Sequence, residues 1–249
     1  MKKHNKNPNY IVYGRHACLA VLQNPKRPIH EIYLLENSEY KDQIPKQYAK
    51  SVQIVSAKTL DKICREEDKH QGIALCTSDA IEDLSLNDYI EIIQTKPKAS
   101  VIILDQVNDP HNIGAIIRSA KCLGIDLLIL PKYSSPSING SVIRSSVGMS
   151  EYLNISIEVN LNNAIKSLKD KGFKVFAMDI ENNVDSINNI SKYTGDYNCI
   201  ILGSEGKGIR PSLLENSDYI IKIPISPDCD SLNVSNSAAI AMYELNKES

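Results

Sequence analysis

The sequence predicts an α/β protein in two parts: a small mixed module over residues 10–78 and a larger, mostly parallel sheet over residues 98–249. Three observations predict it. Short apolar runs of strand type alternate with stretches of helical periodicity along most of the chain, the pattern of α/β architecture. The runs in the second half, such as "ASVIILDQV" from Ala99 to Val107, are almost continuously apolar, as strands covered on both faces are. Between the halves lies an acidic stretch ending in Lys96-Pro97-Lys98, which reads as a linker over residues 79–97.

Residues 1–9 form a basic tail. After it, Gly14 to Asn24 places apolar side chains at helical spacing, and "EIYLL" and "VQIV" read as strands. Ser56 is suited to cap the helix "AKTLDKICREE", and "GIALC" from Gly72 to Cys76 is another strand. In the second half, strands are expected at 99–107, 126–131, 152–158, 173–179, 199–203 and 219–225. Helices are expected from His111 to Leu123, Ser141 to Val147, Asn162 to Lys171, after Pro211, and at the C-terminal end. Six such strands alternating with helices make an open sheet, which binds ligands at the carboxyl ends of its strands.

Composition narrows the class. The chain has 249 residues, 42% hydrophobic and 23% charged, the balance of an ordinary globular protein. No apolar run reaches membrane-spanning length and the basic start has no apolar segment behind it, so no membrane partner and a cytoplasmic location are expected. The six cysteines (Cys18, Cys64, Cys76, Cys122, Cys199, Cys229) show no C-x-x-C spacing; they read as buried thiols, with no metal site. Net charge is −2, yet residues 1–50 carry 9 Lys and Arg against 4 Asp and Glu. A polyanion would meet that end first, through Lys2, Lys3, Lys6, Arg15, Lys26 and Arg27.

Three stretches carry chemistry. "DQVNDPHNIGAIIRSA" runs from a strand into a helix whose Ile113, Ile116, Ile117 and Ala120 share a core face. Arg118 lies on the other side of that helix, and by periodicity alone it is a surface arginine and Asn112 a cap. "IILGSEGKGI" sets three glycines and Glu205 after a strand, fitting neither a P-loop nor a dinucleotide loop. "IPISPDCDSLNVSNSAA" opens the last helix with Ser231 and Asn233, which can cap it or hold a substrate.

In order and spacing these three stretches resemble the signature motifs of the SpoU (TrmH-type) RNA ribose 2′-O-methyltransferases of the SPOUT superfamily, over residues 98–249. "IVYGRHACLAVLQNPKRPIHEIYLLE" and "KHQGIAL" are similar to the substrate-binding domain of the branch that methylates guanosine in 23S rRNA. The resemblance implies a deep trefoil knot, a homodimer with sites shared between subunits, and S-adenosyl-L-methionine as cofactor. It implies catalytic positions at Asn112, Arg118, Glu205, Ser231 and Asn233, and cofactor contacts at Leu202, Gly203, Gly208, Ile223 and Leu232. The implied substrate is 23S ribosomal RNA; transfer RNA, or a non-catalytic role in RNA binding or ribosome assembly, are the alternatives. The chain departs from the family pattern at Cys229 and Asp230, where less acidic residues are expected, and at Asn236 and Ser237, where small or apolar residues are commoner.

Overall fold

Every residue from Ala99 to Asp105 is buried, and this one strand organises the larger half of the molecule. The computed structural model describes residues 9–65, 69–80, 84–179 and 184–247; Lys2, Lys3 and Lys6, expected to bind RNA, lie outside them. The first elements are β1 (Tyr10–Tyr13), α1 (Arg15–Gln23), β2 (Ile29–Leu35), β3 (Val52–Val55), α2 (Ala57–Cys64), β4 (Ile73–Thr77) and α3 (Leu86–Ile93). Next come β5 (Ala99–Asp105), α4 (Pro110–Cys122), β6 (Leu127–Pro131), α5 (Gly140–Ser145), β7 (Asn154–Glu158), α6 (Leu161–Asp170), β8 (Lys174–Met178) and β9 (Asp185–Ser186). The chain closes with β10 (Tyr197–Gly203), α7 (Pro211–Glu215), β11 (Tyr219–Lys222) and α8 (Val234–Asn246). Among the described residues no helix is long and apolar enough to cross a membrane.

Contacts divide the chain into two units, one holding the described residues of 1–83 together with 137–152, the other those of 84–136 and 153–249. The first is a four-stranded mixed sheet in the order β1-β4-β2-β3. Its β1, with Val12 and Tyr13 buried, is a strand that the sequence pattern did not disclose. Residues 137–152, placed by sequence in the C-terminal half, pack here instead: Ile143 joins the core of Val12, Val21, Ile32, Leu34 and Leu75.

Arg27 belongs to the same unit and does not face solvent. It is 4% exposed, and its guanidinium donates to both carboxylate oxygens of the buried Glu151 at 2.7 and 3.0 Å and to the Ser78 carbonyl at 3.1 Å. Burial works against this charge, but Glu151 beside it outweighs that and holds the guanidinium pKa above its usual value. The expectation that Arg27 meets RNA is therefore corrected; its partner lies 124 residues along the chain, beyond any local pattern. Arg15 and Lys26 are exposed as expected, with the Arg15 guanidinium over the Tyr40 ring.

The second unit is a seven-stranded, wholly parallel sheet in the order β7-β6-β5-β10-β8-β11-β9. Six of these strands match expectation; β9, two residues at the edge, was too short to register. β11 stops at Lys222, two residues before Pro224, which cannot donate to a ladder. The expected linker contains α3, an amphipathic helix whose Leu86, Tyr89, Ile90 and Ile93 enter the core. Each such side chain, fully buried, contributes roughly 1.5–3 kcal/mol. Ser85 and Asp88 close a reciprocal capping box at its start, a signal present in "SLND" and outweighed in the reading by the acidic flanks.

Parallel pairing sets the register of β5 against β10 so that Asp105 stands opposite Gly203. The first two chemistry-bearing stretches thus leave the sheet side by side. On one face α8 packs against α4, and the Asn246 side chain donates to the Leu123 carbonyl at 2.7 Å. That packing brings the start of the last helix toward the same end of the sheet.

Candidate active site

α4 begins where its sequence dictates. Asp109 is the N-cap, accepting from the His111 backbone at 2.9 Å, and Pro110 occupies the first turn, where a missing N–H costs nothing. Asn112 is thereby released from the capping role that periodicity offered it. Ile113, Ile116, Ile117 and Ala120 are fully buried, as their spacing predicts.

The glycine-rich turn after β10 folds back on itself. Ser204 bridges to Gly208, whose N–H donates to the Ser204 carbonyl at 2.9 Å. A Cβ on Gly203 would come within 2.1 Å of the Gly208 backbone, and Gly208 itself sits at φ +65°, so both positions need glycine to let the turn close. The resemblance assigns Gly203 and Gly208 to the cofactor; the turn's own backbone already requires glycine at both.

Directly behind the turn, Asp105 is fully buried at the end of β5 and is met by Arg210. The Arg210 backbone N–H donates to Asp105 at 2.9 Å, and its guanidinium reaches both carboxylate oxygens at 2.8–3.1 Å. This fork ties the far end of the glycine turn to the end of β5. Sequence reasoning missed the pair, although a carboxylate ending an otherwise apolar strand was a visible signal.

The third stretch completes the arrangement. Asn233 is the N-cap of α8, its Oδ1 accepting from the Ser235 backbone at 2.9 Å. Its Nδ2 donates to Glu205 Oε1 at 2.8 Å and to Asn112 Oδ1 at 3.1 Å. The Val234 N–H also donates to Glu205 Oε1, at 3.2 Å. A carboxylate held at a helix N-terminus gains about 0.3–1 kcal/mol from the aligned backbone dipoles. Three residues from three separate stretches are therefore joined by one side-chain amide.

Beside this network lies a cavity of about 280 Å³. All five residues expected to contact the cofactor, Leu202, Gly203, Gly208, Ile223 and Leu232, line it, together with Glu205 and Ser231. Met178 and Asp179 from the end of β8 also line it and were missed; Asp230 and Ser237, two of the positions where the chain departs from the family pattern, line it as well. Asp179 repeats the signal of Asp105, a carboxylate just past a buried strand. Ser231 is exposed and does not cap α8.

Arg118 stands apart from this network. It is exposed on α4 and has no ion-pair or hydrogen-bond partner among the described residues. Of the cysteines, Cys18, Cys64 and Cys199 are buried, whereas Cys122 and Cys229 are exposed, contrary to the expectation of uniformly buried thiols.

The cavity walls are apolar at Leu202, Ile223, Leu232 and Val234, and among the described residues the lining carries three carboxylates, Asp179, Glu205 and Asp230, with no Lys, Arg or His. Such a site suits a small organic molecule with an apolar plane and a positive charge. Comparison with known proteins agrees in extent. Residues 99–243 match the SpoU rRNA Methylase family, and residues 11–80 match the RNA 2′-O ribose methyltransferase substrate binding family. An uncharacterized tRNA/rRNA methyltransferase of Borreliella burgdorferi is 36% identical over 78% of this chain and 86% of its own. The 23S rRNA (guanosine-2′-O-)-methyltransferase RlmB of Haemophilus ducreyi is 31% identical over 94% of this chain and 96% of its own. The crystal structure of an AdoMet-bound rRNA methyltransferase from Sinorhizobium meliloti superposes with a TM-score of 0.80 at 21% identity, covering 95% of this chain and 86% of that one. With its three motifs gathered at one end of a parallel sheet and the family match running through them, the chain belongs to the SpoU rRNA methylase family of RNA 2′-O-ribose methyltransferases.

Proposed function

We propose that this chain methylates the ribose 2′-hydroxyl of a guanosine in 23S ribosomal RNA, using S-adenosylmethionine, in the cytoplasm. The observation that carries the reading is the single cavity bordered by the glycine turn and the start of α8, with Asn112, Glu205 and Asn233 joined beside it. The residues present fit the cofactor: Leu202, Ile223 and Leu232 offer apolar contact for its purine, and the carboxylates complement its net positive charge. Gly203 and Gly208 keep the turn narrow, leaving backbone groups to do the binding. When bound, S-adenosylmethionine supplies a methyl group already activated on a sulfonium leaving group.

What remains for the protein is alignment and management of one proton. Asn112, Glu205 and Asn233 hold one another rigid, so that the ribose meets a pre-formed edge. Ser231, exposed at the cavity, is placed to contact the ribose or the cofactor. Arg118 offers a guanidinium, which is a poor base. It grips the target phosphate and stabilises the developing alkoxide, in a homodimer where the exposed side of α4 serves the partner's site. Arg15 and Lys26, with Lys2, Lys3 and Lys6 ahead of them, capture the RNA.

Ribosomal rather than transfer RNA is favoured by two observations: the match of residues 11–80 to a substrate-binding family, and the near full-length similarity to a 23S rRNA enzyme. The test is mapping of 2′-O-methyl positions on ribosomal and transfer RNA with and without this protein. A single guanosine in 23S rRNA should lose its methyl group when the protein is removed.

A further inference from the structure

Among the described residues three carboxylates line the cavity, and two of them are engaged. Glu205 accepts from Asn233 and Val234, and Asp179 has an interaction partner. Asp230 has no hydrogen-bond or ion-pair partner among the described residues, although it lines the cavity wall next to Ser231. It follows a turn in which the Cys229 N–H donates to the Ser226 carbonyl at 3.0 Å. Among the described residues no cationic side chain lines the cavity to neutralise it. A free carboxylate facing such a space is left to interact with whatever charge the ligand brings.

We propose that Asp230 is a charge-selectivity residue, which favours the cationic methyl donor over the neutral thioether left after transfer and so promotes product exchange. The inference rests on the functional reading above. In the transfer the carbon–sulfur bond breaks with its electron pair remaining on sulfur, the oxygen–carbon bond forms, and the 2′-hydroxyl proton leaves to solvent. The bound ligand therefore goes from net charge about +1 to about 0. The attraction of Asp230 is present before the reaction and absent after it. Because Asp230 is exposed, the effect is moderate and sensitive to salt.

The test is calorimetric titration of the full chain with S-adenosylmethionine, S-adenosylhomocysteine and sinefungin, which carries an amine where the donor has its sulfonium. Asp230→Asn should weaken the donor and sinefungin by about threefold to tenfold and leave S-adenosylhomocysteine within about twofold. Asp230→Glu should restore the preference. The preference of the wild type should also shrink as salt is raised from about 0.05 to 0.5 M. Equal weakening of all three ligands would assign Asp230 to the shared ammonium or to loop shape, and no weakening would remove its role; either overturns the proposal. Unchanged melting of the two variants without ligand verifies that the fold is intact. A folded wild type that takes up none of the three would overturn the functional reading itself, a result distinct from the loss of selectivity alone.

Discussion

The amide of Asn233 donates to the carboxylate of Glu205 at 2.8 Å, across 28 residues of chain, and so ties the glycine turn to the N-cap of the last helix. Both ends of this contact have a second duty, since Asn233 caps α8 and Glu205 accepts the Val234 N–H. Glu205→Gln keeps the shape but removes the charge at the helix N-terminus. Stability should fall by about 0.5–1 kcal/mol. Single-turnover methyl transfer should fall by more, about tenfold or beyond, because the pre-formed edge loosens. A parallel melting and single-turnover series checks the split; a rate unchanged within about twofold would detach Glu205 from the site.

Asp105 and Arg210 behave differently, because the carboxylate is fully buried while the guanidinium is 45% exposed. Asp105→Asn leaves Arg210 a half-solvated exit, so the loss should lie at the low end for a broken buried pair, about 2–3 kcal/mol. Urea unfolding measures it. Arg210→Lys, which keeps the charge and loses the fork, should cost less than Asp105→Asn but still about 1 kcal/mol or more.

Arg27 and Arg15 separate structure from RNA capture. Arg27→Ala strands the buried Glu151, and the cost should be about 3–5 kcal/mol in the melting of the N-terminal unit. Arg15→Ala should cost under about 0.5 kcal/mol, as exposed substitutions do, yet weaken RNA binding and reduce its salt dependence by about one phosphate contact. Filter-binding titrations over a salt series, read beside thermal melts, distinguish the two.

Asp185 provides a pH test. Hydrogen bonds from Tyr193, then Asn189 and the Ser186 backbone, hold its carboxyl below the usual aspartate range. A depressed folded pKa contributes stability that is present above the unfolded value, about 3.9, and is lost as pH falls through the folded value. Melting of Asp185→Asn should therefore lie below the wild type at pH 6, and the gap should close on acidification below about pH 4. A gap independent of pH would contradict the ionised role.

Much of this was legible in the sequence because it is local. The stripe of Ile113, Ile116 and Ile117, the proline after Asp109 and the capping amide of Asn233 all declare themselves within one or two turns. What escaped depends on distance or on brevity. Arg27 finds Glu151 across 124 residues, and Arg210 finds Asp105 across 105, so neither partner can be read from its neighbours. β9 has two residues, too few for a period. α3 was hidden by acidic flanks that read as linker, although its apolar spacing was present. The knot expected from the resemblance rests on family membership, since periodicity carries no information about how one segment passes another.

One measurement reaches both the reaction and its target. Purified protein, S-adenosylmethionine carrying a labelled methyl group, and 23S rRNA from cells lacking the protein are incubated together, and the labelled nucleotide is located by nuclease digestion and mass spectrometry. One labelled 2′-O-methylguanosine is expected, abolished in Asn112→Ala and Asn233→Ala proteins that still fold. Label on transfer RNA instead, label on a base, or no label with a folded protein and intact RNA would contradict the proposed function.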